Sequence, residues 1–139
     1  MDLTIVFLFV GIILLAAFLL FIMSFGKKRC RIVDVEKYRV KYLKIEQQLK
    51  KSEPSTYHMS VLNGDKLVDE AMKELGARGE TMGERLKYFV ARFSDRNGIW
   101  TAHKLRNRIA HESDIVVTYE DAKYALNNFR KALKDLGAI

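Results

Sequence analysis

The chain has 139 residues, 24 Lys or Arg against 17 Asp or Glu, a net charge of +7, one Cys, one Pro and three His. One Cys excludes a disulfide framework, and with three scattered His it is too small a ligand set for a conventional structural zinc site, so no metal or cofactor is expected. The charge is concentrated: residues 27–51 hold ten bases and three acids, whereas residues 52–139 hold fourteen and thirteen, which argues against a broad cationic nucleic-acid surface.

Leu3 to Phe25 carries no charge, and only Thr4, Gly11 and Ser24 interrupt its apolar character. At about 1.5 Å rise per residue such a helix crosses the roughly 30 Å hydrocarbon core of a bilayer. Cleaved signal peptides have a basic leading region, a shorter apolar core and a small-residue cleavage site. Here Met1-Asp2 leads and Ser24-Phe25-Gly26-Lys27-Lys28 follows, so residues 1–26 read as an uncleaved transmembrane anchor. Lys27, Lys28, Arg29 and Arg31 follow the span and no base precedes it. The positive-inside rule then predicts a single-pass cell-membrane protein, its N-terminus outside and its C-terminal part cytoplasmic. Cys30, among these bases, reads as an ordinary reduced thiol in preference to a lipidated one.

Residues 27–53 read as a basic juxtamembrane helix. Val35, Tyr38, Tyr42, Ile45 and Leu49 are spaced like the seam of a coiled coil, but for only about two heptads. Three roles stay open for it. Its Lys37, Arg39, Lys41 and Lys44 can meet anionic lipid headgroups, its stripe can pair with a second copy, or it can pack on the domain that follows. Pro54 ends it, since a residue before Pro disfavours helix.

Residues 54–139 are predicted to form an all-α, antiparallel bundle of about four helices. The first carries the stripe Leu67, Val68, Ala71, Met72 and Leu75, stops at Gly76, and has a weak point at Asn63-Gly64 where a kink or late start is expected. Thr81 and Glu84 have capping-box spacing and open a helix whose apolar face is Met82, Leu86, Phe89, Val90 and Phe93. Ser94 to Gly98 supplies turn and cap residues before a helix from Ile99 to His111. Ile115-Val116-Val117 reads as packed loop. Thr118 and Asp121 cap a last helix through Ala122, Ala125, Leu126, Phe129, Leu133 and Leu136, closed by Gly137. So short a domain has a thin core, which makes a partner subunit covering an apolar face an expectation.

The chemistry concentrates in Ile99 to Glu112. His103, Asn107 and His111 are four apart and share one helix face, while Arg106 lies on or beside the apolar stripe. An Arg buried there requires a partner, and the candidates are Glu112, Asp114, a second subunit or a ligand phosphate. Arg106-Asn107-Arg108-Ile109-Ala110-His111 matches the R-x4–6-H signature, and with the blocks Gly79–Leu86 and Ile99–Glu112 it resembles the HEPN superfamily. Residues 57–137 look like the short, membrane-anchored HEPN-like proteins of uncultured bacteria. The resemblance implies a homodimer with a cleft shared between two motif helices. It also implies one of two activities: metal-independent cleavage of RNA, or noncatalytic binding of a nucleotide or protein. In the first, His111 acts as base or acid at a ribose 2′-hydroxyl, Arg106 stabilises charge on the phosphorane and Asn107 positions the phosphate. His103, Lys104, Arg108 and Glu112 are the candidate binding residues beside them. A third reading makes the protein a membrane-surface assembly unit driven by residues 31–51.

Overall fold

The computed structural model describes residues 3–26 and 32–139, and the described chain is all-α. It forms two units, residues 1–30 and 31–139. The bases of the orientation argument (Lys27, Lys28, Arg29 and Arg31) and Cys30 lie outside the described residues.

The first unit is helix α1, Leu3–Gly26, exposed from Thr4 to Phe21 with a mean hydropathy of 3.0 over that window. Its length and composition suit a membrane anchor or a signal sequence.

The second unit contains α2 (Val35–Gln48), α3 (Ser55–Glu74), the short α4 (Met82–Tyr88), a 3₁₀ turn (Val90–Arg92), α5 (Arg96–His111) and α6 (Tyr119–Asp135). Helix α3 packs against α2, α4, α5 and α6, and α5 also packs on α6. The division expected at residue 53 is absent, because α2 belongs to this core. Its Tyr38, Tyr42 and Ile45 are buried, with Val33 just before it. The Tyr42 hydroxyl donates to the Leu126 carbonyl of α6 at 3.1 Å, and the Tyr38 hydroxyl donates to Glu74 of α3 at 2.7 Å. Burial and the Glu46 charge push the Tyr42 phenol up to about 12 against the pull of Arg130. Of the bases expected at lipid headgroups, Lys41 pairs with Glu70 at 2.8 Å and Lys37 with Glu74 at 3.5 Å, both on α3, while Arg39 pairs with Glu36 of its own helix. The apolar stripe of α2 is therefore spent inside the chain, which leaves little of it for a coiled coil.

Helix α3 runs unbroken through Gly64. A Cβ there would lie 2.6 Å from Phe129 Cδ2 and 2.9 Å from Leu126 Cδ2, so the glycine lets α3 approach α6 closely and marks no kink. Gly64→Ala is expected to lose stability despite its better helix propensity. Overpacking costs roughly 1–3 kcal/mol, of which propensity returns about 1 kcal/mol. A higher denaturation midpoint for the variant would contradict this packing.

The capping box predicted at Thr81 and Glu84 forms, and the cap predicted at Thr118 and Asp121 is a capping box as well. Gly76 and Gly137 take φ values of 83° and 70°, and the following amides close onto Met72 and Leu133 carbonyls. Helix α4 stops at Tyr88 and tightens into the 3₁₀ turn, still burying Phe89 and Phe93. Helix α5 begins earlier than expected, at Arg96, because the Asp95 carboxylate accepts from the Gly98 amide at 2.8 Å. The triplet at 115–117 is loop, with Val117 buried and Val116 exposed.

Candidate functional site

The buried stripe of α5, Ile99, Ala102 and His103, gives out halfway along the helix. Its last turns form the wall of a cleft of about 1030 Å³, with α3 and the start of α4 as the other walls. Gly83 of α4 faces the same wall, where a Cβ would lie at ordinary contact distance, 3.8 Å from Trp100 and 3.9 Å from the Nε2 of His103.

Asp65 of α3 organises this wall. It is 3% exposed. Its Oδ1 meets His103 Nδ1 at 2.9 Å and its Oδ2 meets Arg106 Nε at 3.3 Å. Arg106 in turn donates from its Nη1 to Asn107 Oδ1 at 3.0 Å, and Asn107 Nδ2 lies 3.2 Å from His103 Nε2. Hydrogen-bond logic orients the whole ring. A guanidinium only donates, so Asn107 presents its oxygen to Arg106 and its NH2 to His103. His103 Nε2 must then accept, which places the imidazole proton on Nδ1, donating to Asp65. Burial holds the Asp65 carboxyl above its ordinary value, and the hydrogen bond from His103 and the charge of Arg106 offset this only in part. The partner of Arg106 is thus an acid of its own chain. Neither Glu112 nor Asp114 fills that role, and no second subunit is required for it.

A second buried pair lies on the same floor. Arg85 of α4, 5% exposed, holds Asp69 of α3 with Nε to Oδ1 at 2.6 Å and Nη2 to Oδ2 at 3.0 Å, and donates to the Gly79 carbonyl at 2.7 Å. Lys73 meets the same carboxylate at 2.7 Å. Burial would raise the Asp69 carboxyl, but the hydrogen bonds and charges of Arg85 and Lys73 outweigh it and hold the group below its ordinary value.

Of the residues predicted from sequence, Arg106, Asn107, His111, His103 and Lys104 line the cleft. Arg106 and Asn107 are half-buried, His103 is buried, and Lys104 and His111 are exposed, His111 without a hydrogen-bond partner among the described residues. Arg108 and Glu112 are not among the lining residues; they pair with each other at 3.2 Å as an exposed i, i+4 ion pair. The cleft's other cations are Lys66 and Lys87, and like Lys104 they have no ion-pair partner among the described residues. Its acids are mostly engaged. Asp65 and Asp69 serve the buried pairs, and Glu84 accepts from the Glu80 amide at 2.6 Å while capping α4.

Comparison with protein families, curated proteins and solved structures finds no match to this chain. The residues therefore carry the functional reading alone.

Sequence reasoning missed Asp65, Asp69, Arg85, Lys66 and Trp100. A signal existed for the first. Val61, Asp65, Val68 and Met72 share one helical stripe, and an acid on an apolar stripe needs a partner as much as Arg106 does. Asp69 and Arg85 gave no such sign, because Asp69 lies beside the stripe and Arg85 follows a cap.

Proposed function

We propose that the protein is a membrane-anchored, HEPN-like protein whose α5 cleft binds RNA and cleaves it without a metal ion. The observation that supports this most is the convergence of Arg106, Asn107 and His111 with the unpaired Lys66, Lys87 and Lys104 on one cleft. An exposed imidazole lining the same cleft as a guanidinium held by Asp65 suits attack of a ribose 2′-oxygen on the adjacent phosphorus. His111 takes the 2′-hydroxyl proton, and the P–O5′ bond breaks as the 2′-oxygen bonds phosphorus. The departing 5′-oxygen takes a proton from water, whose hydroxide is neutralised by the protonated His111; the products are a 2′,3′-cyclic phosphate and a 5′-hydroxyl. Arg106 stabilises the charge that develops on the phosphorane oxygens, and Asn107 orients the phosphate. In this reading α1 is an uncleaved anchor, the helical unit is cytoplasmic, and two copies associate around their motif helices.

One observation favours a second reading, a noncatalytic nucleotide- or protein-binding module at the same cleft. Asp65, His103, Asn107 and Arg106 close a complete ring, so much of their bonding capacity is spent on one another.

Full-length protein in nonionic detergent, incubated with single-stranded RNA in EDTA, separates the two. Cleavage by the parent chain, lost in His111→Ala and in Arg106→Ala, is the expected result. Intact RNA at high protein concentration would remove the enzyme reading.

A further inference from the structure

The unpaired cations of the cleft do not stop at its edge. A smaller groove of about 210 Å³ between α2 and α3 shares Asn63 and Lys66 with the cleft and adds Lys44 and Gln48 of α2. Lys41 also lines it but is held by Glu70, which leaves Lys44 and Lys66 as its unpaired cations among the described residues. Inside the cleft, the partly exposed Trp100 stands edge-on to His103, with ring centroids 6.1 Å apart. The cleft thus carries an indole with the unpaired Lys66, Lys87 and Lys104, and Lys66 is shared with a second depression lined by Lys44.

We propose that a single-stranded RNA stacks one base on Trp100, passes over Lys66, and sets a further phosphate against Lys44 of α2. The proposal rests on the RNA reading for the class of its ligand. Single strands are held this way because every base has a π-face that stacks on an aromatic ring, while lysines track the backbone without reading sequence. A duplex hides its bases from an indole and does not fit. The assignment gives α2 a ligand-facing role along the side its stripe leaves free, through a lysine that neither α3 nor α6 neutralises.

Trp100 is the only Trp in the chain, so its fluorescence reports on the cleft directly and needs no turnover. The test uses the full chain in nonionic detergent carrying His111→Ala, so that RNA is not consumed, with a uridylate dodecamer and a uridylate dinucleotide as probes. Both are expected to quench Trp100 saturably. Lys66→Gln weakens both ligands. Lys44→Gln weakens only the dodecamer and lowers its salt slope by about 0.7, one single-strand phosphate contact. Trp100→Ala, followed by anisotropy of labelled dodecamer, loses roughly 5- to 150-fold in affinity, and Trp100→Phe restores much of it. Lys134→Gln, an exposed lysine of α6, changes neither ligand.

Absence of quenching by either RNA overturns the proposal. So does equal quenching by a polyglutamate peptide, or a Lys44→Gln effect on the dodecamer no larger than that of Lys134→Gln. Binding as described by a parent chain that leaves RNA uncut removes the cleavage reading and keeps this one. A parent that cuts RNA while Lys44→Gln and Trp100→Ala have no effect removes this one and keeps cleavage.

Discussion

Asp69→Ala is expected to lower the stability of the helical unit by roughly 3–5 kcal/mol. The lost contacts alone do not account for so much; the charge left behind does. The Arg85 side chain is 6% exposed, and its guanidinium would stay buried with only the Gly79 carbonyl and no counter-charge. Replacing both partners, Asp69→Leu with Arg85→Leu, should recover most of the loss, since a buried ion pair seldom outperforms an apolar pair of similar volume. The same pair sets an acid dependence. Asp69 is held below the ordinary carboxylate value, so its stabilisation is fully present above the unfolded value near 3.8 and is lost as the pH falls through the folded value. Urea midpoints of the parent and both variants, measured from neutral to acid pH, check this. A single variant within about 1 kcal/mol of the parent, the range of an exposed pair, would contradict the buried-pair account.

Arg106→Lys is expected to lower RNA cleavage by about 10²- to 10³-fold, as loss of a transition-state donor does, although the charge is retained. The guanidinium serves several partners at once. Its Nε side is ion-paired with Asp65 at 3.3 Å and one Nη1 hydrogen is bonded to Asn107, which leaves donors in the same rigid plane for a phosphate. A lysine carries all its donors on one atom and cannot hold Asp65, Asn107 and a phosphorane oxygen together. His111→Ala is expected to cost about 10²- to 10⁴-fold, the range for a general acid or base. Unchanged circular dichroism and melting temperature would show that the fold is not the cause. Full activity in Arg106→Lys would reduce Arg106 to a fixed positive charge.

Much of the helical frame is legible in the sequence because its signals are local. Capping boxes at Thr81 and Thr118, stop glycines at 76 and 137, and the stripe from Ala122 to Leu136 each depend on residues within a few positions of one another. Packing between distant elements was not legible. The stripe of α2 looks the same whether it faces lipid, a second copy or the domain that follows, and the bonds of Tyr38 to α3 and Tyr42 to α6 decide. Gly64 read as a weakness because propensity scores a helix in isolation, whereas Phe129, far along the chain, needs the space. At the site, the row His103, Asn107 and His111 followed from helical spacing, and those residues do share one cleft. The same spacing could not reveal which acid meets Arg106, because Asp65 comes from another helix. Nor could it show that Arg108 and Glu112 satisfy each other on the outer face.

In the proposed function this cleft, built within one chain around an Arg106 fixed by Asp65, receives the phosphates of RNA. That reading is tested most directly by nuclear magnetic resonance of the full-length His111→Gln chain, labelled in its arginine and histidine side chains, during titration with a dinucleotide. The account predicts that the Arg106 Nε and His103 ring signals move together with saturation, while Arg85, sealed against Asp69, stays in place. Signals of Arg106 and His103 that move no more than that of the exposed Arg130 on α6 would contradict it.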